Sequence, residues 1–476
     1  MERPTKKTKI VATLGPASNT IETISALIEN GANLFRLNFS HGTHDQHHHA
    51  VELIRRAATG VEGGVGILAD LQGPKIRTGQ CEGDETITLK RGTEVCLTRT
   101  PEPCTNKRIY IDYPNLAREI HEGARVLIND GAVTLKVNAA DPRKGEVYCE
   151  VVRSGEYSSR KGVNLPNVDL AIPSLTDKDL KDLAFMLTLD IQYIALSFVR
   201  RASDVGHLRD VMGNQRPEVK IIAKIEKPEA AQAIDDILDI ADGIMVARGD
   251  LGVEVAPYDV PVLQKNLIRK ASRAGKPVIV ATQMLESMIK AASPTRAEST
   301  DVANAIFDGA DAVMLSGETA VGAYPVEAVR MMTDIAEAAE GSTYFNQHVD
   351  VGVDKKNVST KAVCDAAARA SAELSNAPIC VFTLSGDTAL YLSKLRIPAP
   401  IFSFSPNRDV VDALSLAFNV TAYQVDFQCH IDDLASTAQQ RLIHQKRVAA
   451  GDYLVLVSGT TPVRGATNYM QVRAIP

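Results

Sequence analysis

The chain has 476 residues, too many for one hydrophobic core, so two or three domains are expected. Apolar residues make up 45% and charged residues 23%, the balance of an ordinary soluble globular protein. With 52 basic against 58 acidic residues the net charge is -6, which gives no sign of nucleic-acid binding, and no apolar run approaches membrane-spanning length.

The start, with Arg3, Lys6, Lys7 and Lys9, leads straight into a strand-like run, Lys9 to Pro16, and not into the apolar centre of a signal peptide. A helix follows, capped by Asn19 or Thr20, striped by Ile21, Ile24, Leu27 and Ile28, and closed by Gly31. Then come a strand in Leu34 to Gly42, a second helix, and a strand in Val65 to Lys75. Strands separated by crossover-length helices are parallel. GVEGGVG (Gly60 to Gly66) has the look of a dinucleotide loop but precedes its strand, so it reads as a helix-to-strand turn.

From residue 73 to 165 the rhythm stops. TITL, TEVCL, RIYI, ARVLI, VTLKV and EVYCEVV are short alternating runs between turn residues, which predicts an inserted antiparallel all-β module. Its place directly after a strand end makes it a candidate lid. The first rhythm then resumes with strands in Tyr193 to Phe198, Lys220 to Glu226, Gly243 to Asp250, Pro277 to Met284 and Ala312 to Glu318. Three strands before the insert and five after it predict a closed (β/α)8 TIM barrel over 1–72 and 166–343, with its active site at the strand C-terminal ends. Residues 344–476 read as a separate α/β domain with an alanine-rich helix from Lys361 to Ser375 and five strands. The seven cysteines are scattered and lack C-x-x-C spacing, which suits a reduced, cytoplasmic protein.

Polar clusters sit at the predicted strand ends: NFS, DLQ, SF, KIE, ARGD, ATQ and SGE. Lys224 and Glu226 are two apart and share one side of their strand. Glu226 and Asp250, on neighbouring strands, can both reach one hard cation, with a buried ion pair as the structural alternative. Five histidines, at 41, 44, 47, 48 and 49, raise the question of zinc, but only His44 and His48 share a helix face, so a solvated helix start is the default.

NFSHG, DLQGPKIRTG, KGVNLP, AKIE, VARGDLGVE, ATQMLESM, PTRAE and LSGETAVGAYP occur in one order along the chain, which thereby resembles the pyruvate kinase family over essentially its whole length. The resemblance implies phosphoryl transfer between phosphoenolpyruvate and ADP/ATP, and Mg2+ or Mn2+ held by Glu226 and Asp250. Lys224 becomes the cation beside the transferring group, and Arg248 a supporting ion-pair partner. The amides of Gly249 and Asp250 take the substrate carboxylate, Arg36 takes the substrate phosphate, and Thr282 helps protonate the enolate with neighbours such as Ser316. Asn38, Ser40 and Asp70 surround a monovalent cation, while Asn38, His41, Arg77 and Lys161 match nucleotide contacts.

Two departures from the family pattern bear on function. Potassium-dependent members carry D-T-K-G-P-E where this chain has Asp70, Leu71, Gln72, Gly73, Pro74 and Lys75, so K+ is expected to be dispensable, the Lys75 ammonium taking its place. Thr383, Ser385, Gly386 and Thr388 lie in a loop matching the family's effector site, faced by Gly459 to Thr467. Leu384 replaces a lysine and Thr460 an aromatic found in members activated by a sugar bisphosphate, which favours a sugar monophosphate or AMP. A homotetramer is implied. Two rival readings are a metal-dependent pyruvate-enolate aldolase or lyase, which has no use for the lid with Lys161 and Arg77, and a non-catalytic effector-binding protein, which is expected to have lost Lys224, Glu226 or Asp250.

Overall fold

Eight parallel strands close into a barrel in the computed structural model: β1 (Lys9–Thr13), β2 (Leu34–Asn38), β3 (Gly66–Asp70), β4 (Tyr193–Leu196), β5 (Lys220–Ile225), β6 (Gly243–Ala247), β7 (Val278–Ala281) and β8 (Ala312–Leu315). Each pairs with its successor, β3 with β4 across the insert, and β8 returns to β1 with Lys9 opposite Ala312. The structure describes residues 4, 6–166, 168, 170–345, 358–427, 431–460, 465 and 467–476.

The strands are apolar runs buried on both faces, as parallel strands under a helical layer must be. Several helices begin at a threonine followed three residues on by a carboxylate or amide: Thr43 with Gln46, Thr176 with Asp179, and Thr295 with Glu298. In each, the hydroxyl and the N3 side chain satisfy each other's free backbone amides. Thr20 caps the first helix, Ile21–Glu29, by accepting from the Thr23 amide. Gly60, Gly63 and Gly64 all have positive φ, so GVEGGVG is the turn into β3.

The insert forms a six-stranded sheet with its own core around Leu97, Ile109, Val126 and Leu135, together with a two-stranded ribbon. One pairing departs from the antiparallel expectation: Glu94–Thr98 and Arg108–Tyr110 run parallel. The chain between them, 99–107, travels back before pairing, and nothing in the alternating pattern distinguishes the two directions.

The last region is a five-stranded sheet of β9 (Ile379–Phe382), β10 (Ile401–Ser405), β11 (Val420–Gln424), β12 (Tyr453–Gly459) and β13 (Thr467–Ala474), in the order β11-β10-β9-β12-β13, with only the β12–β13 pairing antiparallel. It docks on the N-terminal ends of the barrel strands. Lys9 Nζ donates to the Val420 carbonyl at 2.7 Å, and the Tyr193 hydroxyl donates to the Ala413 carbonyl at 2.6 Å. The opposite face, where the strands end and the insert is rooted, is left for chemistry.

Candidate active site

The C-terminal ends of β2, β3, β4 and β5 bring together five polar side chains, Arg36, Asp70, Ser197, Lys224 and Glu226. Arg36 grips Asp70 Oδ2 at 2.7 Å through Nε and Nη2, and its Nη1 reaches Thr13 at 3.3 Å. The Lys224 ammonium donates to Ser197 Oγ at 2.7 Å and lies 2.8 Å from Glu226 Oε1 and 3.4 Å from Asp70 Oδ1. Its three donors are all directed at protein oxygens. Glu226 Oε2 in turn accepts the Phe198 amide at 2.7 Å, which Phe198 presents from a left-handed backbone, φ 56°. Both Asp70 and Glu226 are 1% exposed.

Burial acts against a charged Asp70, but the Lys224 and Arg36 cations outweigh it and hold its carboxyl below the usual range. Burial also opposes the Lys224 ammonium, and Asp70 and Glu226 reverse this, so Lys224 titrates above its ordinary value. It is therefore a cation at neutral pH. Glu226 is pushed up by burial, with the Lys224 ammonium offsetting and the Asp250 charge adding to the rise.

Gly249 and Asp250 lie in the helix Arg248–Glu254 that follows β6 directly. The Gly249 amide donates to Thr282 Oγ1 at 2.6 Å, and that hydroxyl donates to the Ala281 carbonyl at 2.6 Å. A methyl group on Gly249 would stand 3.2 Å from the Thr282 oxygen, so glycine is what allows this approach. Ser316, at the end of β8, has a buried hydroxyl with no partner among the described residues. Lys75 approaches Asp250 Oδ1 at 3.8 Å, while its expected counterpart, Asp70, is occupied by Arg36 and Lys224.

Asn38 lies beside Asp70 in the β2–β3 register and accepts the Ser40 amide at 3.1 Å. His41 is exposed next to it. Arg77 and Lys161 meet where the two connections to the insert pair: the Thr78 amide donates to the Lys161 carbonyl at 2.8 Å, and Arg77 Nη1 reaches the Arg160 carbonyl at 3.2 Å. The neighbouring histidines have structural partners. His44 is 2.8 Å from Asp182 and stacks on Phe185, and His47 stacks on Phe39. Among the described residues, no group of three or more His, Cys, Asp or Glu side chains could hold a metal ion.

The loop after β9 turns through Gly386, whose left-handed φ of 86° opens the helix Asp387–Lys394. Thr383 Oγ1 accepts the Gly386 amide at 3.0 Å, Ser385 donates to Asp387 at 2.7 Å, and Thr388 meets Thr467 at 2.8 Å. The facing segment lies partly outside the described residues. Ser385, Gly386 and Asp387 line a cavity with Tyr193, Lys220 and Asp242, so this loop abuts the barrel face opposite the strand-end cluster.

Sequence reasoning did not single out Ser197 or the Phe198 amide. The signal was there in the SF pair at the end of β4, but neither residue carries charge, and a backbone amide leaves no mark in composition.

Among known proteins, a family model described as "Pyruvate kinase, barrel domain" matches residues 5–329, and one described as "Pyruvate kinase, alpha/beta domain" matches residues 361–473. A pyruvate kinase of Geobacillus stearothermophilus is 42% identical over 477 aligned positions, covering 99% of this chain and 80% of that protein. One of Staphylococcus epidermidis is 39% identical over 472 residues, with the same coverage. The crystal structure of a pyruvate kinase from Cryptosporidium parvum superposes with a TM-score of 0.91 at 35% identity, over 99% of this chain and 97% of the other.

Proposed function

The chain belongs to the pyruvate kinase family, and from that premise we propose that the strand-end cluster moves the phosphoryl group of phosphoenolpyruvate to ADP, giving pyruvate and ATP. The observation that carries this reading is the buried Lys224 ammonium, held charged between Asp70 and Glu226 with the Arg36 guanidinium alongside. Phosphoryl transfer needs positioning and charge neutralisation far more than covalent help. Arg36 receives the substrate phosphate, and Lys224 faces the bridging oxygen and the enolate that develops there. To engage substrate, Lys224 must release one of its three partners, and Asp70 at 3.4 Å is the loosest. The enolate carbon takes its proton through Thr282, with Ser316 nearby. The Gly249 amide, once released from Thr282 Oγ1, and the Asp250 amide hold the substrate carboxylate, and Asn38, His41, Arg77 and Lys161 line the nucleotide side.

Glu226 and Asp250 would hold Mg2+ or Mn2+. The fit rests on two hard carboxylate donors that repel one another, a repulsion that a divalent cation relieves. When bound, the ion neutralises phosphate charge during transfer. Asn38, Ser40 and Asp70 form the monovalent-cation position, and K+ is dispensable on this reading because Arg36 and Lys224 already neutralise Asp70 and Lys75 adds a fixed ammonium.

Regulation by a phosphorylated sugar or AMP at Thr383, Ser385, Gly386 and Thr388 is part of the proposal, supported by the helix start that Gly386 opens. So are a cytoplasmic homotetramer, the division of the chain at 72/73, 165/166 and 343/344, and membership of the sugar-monophosphate- or AMP-responsive bacterial type. No helix among the described residues is long and apolar enough to cross a membrane. The test is a coupled assay of ADP phosphorylation from phosphoenolpyruvate with Mg2+, with KCl against an inert salt of equal ionic strength, titrating glucose 6-phosphate, ribose 5-phosphate and AMP. Full activity without K+ and activation by one of the three are expected. No phosphorylation of ADP would end the catalytic reading, and strong activation by K+ would end the Lys75 reading.

A further inference from the structure

The backbone just after β7 is strained at the residue assigned to proton delivery. Thr282 has φ 70° and Gln283 φ 52°, both in the left-handed region. A β-branched residue rarely occupies that region, and it stays there only where its surroundings over-determine it. The over-determining group is Arg248, 9% exposed at the start of the helix after β6. Its Nη2 donates to the Thr282 carbonyl at 2.8 Å and the Gln283 carbonyl at 3.2 Å, and lies 2.7 Å from Met284 Sδ. Its Nη1 is anchored on the helix that follows β7, Arg296–Phe307, 2.6 Å from Asp301 Oδ2, and reaches Gln264 on the intervening helix, Val260–Arg273, at 3.4 Å. One guanidinium thus ties two consecutive left-handed carbonyls to a rigid helix. A lysine could not do this, because it lacks the planar fork.

We propose that Arg248, braced by Asp301, is a positioning residue for the Thr282 hydroxyl. The clamp fixes the peptide planes that carry Thr282 and leaves its oxygen between the Gly249 amide and the Ala281 carbonyl. The inference rests on the role given above to Thr282 and deepens it. Arg248 touches no reacting atom; it holds the turn in the conformation from which the hydroxyl can relay a proton.

The test is a double-mutant cycle on the full-length enzyme, measuring kcat and the KM for phosphoenolpyruvate in Arg248→Lys, Thr282→Val and the double variant, with circular dichroism to check folding. Displacing a catalytic group by about 1 Å costs about 10²-fold, so Arg248→Lys is expected to lower kcat by about that much with KM nearly unchanged. In the Thr282→Val background the same substitution should add little, because the hydroxyl it positions is gone. Losses that multiply to about 10⁴-fold would overturn the clamp, since the two residues would then act independently. So would a raised KM with kcat intact, which would mean that Arg248 serves the substrate-binding amides instead. If Thr282→Val alone keeps wild-type kcat, the proton-delivery role is what fails, and the clamp falls with it. Should Arg248→Lys not fold, Asp301→Asn replaces it in the cycle, with a smaller loss in the same direction.

Discussion

At Lys224 one side chain meets three oxygens, and its charge is fixed by the two carboxylates that flank it. Removing an electrostatic stabiliser of this kind costs on the order of 10²–10³ in rate, so Lys224→Ala is expected to lower kcat by about that factor. The chain should still fold, because Arg36 continues to neutralise Asp70. Near-wild-type turnover in a folded variant would sink the assignment. Gly249→Ala tests a contact instead of a charge. Its new methyl group would press the Thr282 oxygen at 3.2 Å, and kcat/KM should fall about tenfold, or about 1.4 kcal/mol, with melting unchanged. Lys224 and Glu226 were legible in the sequence because charge at the end of an apolar strand demands a reason. Ser197, the Phe198 amide and the grip of Arg248 on the Thr282 carbonyl were not, because the first carries no charge and the others depend on backbone atoms.

The element that links insert and barrel is a small buried knot. Glu254 accepts Asn164 Nδ2 at 2.8 Å and Lys227 Nζ at 2.6 Å, and so ties the last strand of the insert, Val163–Asn164, to the helix after β6. Arg200 adds a second tie through the Leu170 and Ile172 carbonyls, at 2.6 and 2.5 Å. Hydrogen bonds to a charged group contribute about 1.5–3 kcal/mol, so Glu254→Ala should loosen the root of the insert by about that much. Faster amide exchange in 163–165 and a higher KM for ADP are expected, and unchanged exchange there would place the hinge elsewhere. The insert itself was readable from its short alternating runs. Its parallel pair was not, since the period of two is the same in both directions.

Across the whole molecule, the C-terminal domain is bolted to the barrel by Asp311, which meets Lys394 and, at 3.0 Å, Arg396, all of them buried. Asp311→Asn strands two buried cations and should cost about 3–5 kcal/mol. Lys394→Met should be tolerated, since Arg396 and the Val278 amide still hold Asp311. Burial pushes the Lys394 ammonium down from 10.5 to about 8, with Asp311 opposing and Arg396 adding. A lysine whose pKa falls on folding binds fewer protons in the native state between those two values, so its cost is fully present below pH 8 and fades as pH rises towards 10.5. The melting temperature of Lys394→Met relative to the wild type should therefore fall between pH 8 and 10, and a flat difference would mean that Lys394 titrates normally. The sequence by itself determined the barrel, the insert, the C-terminal sheet and the charged strand ends, because periodicity and the placement of charge are local properties of a chain. Tertiary structure alone decided which charges meet, that Lys75 turns to Asp250 and not Asp70, and that the loop of Thr383 to Thr388 lies against the barrel's far face. Those choices depend on closing a barrel and docking a domain onto it, and no stretch of residues records them.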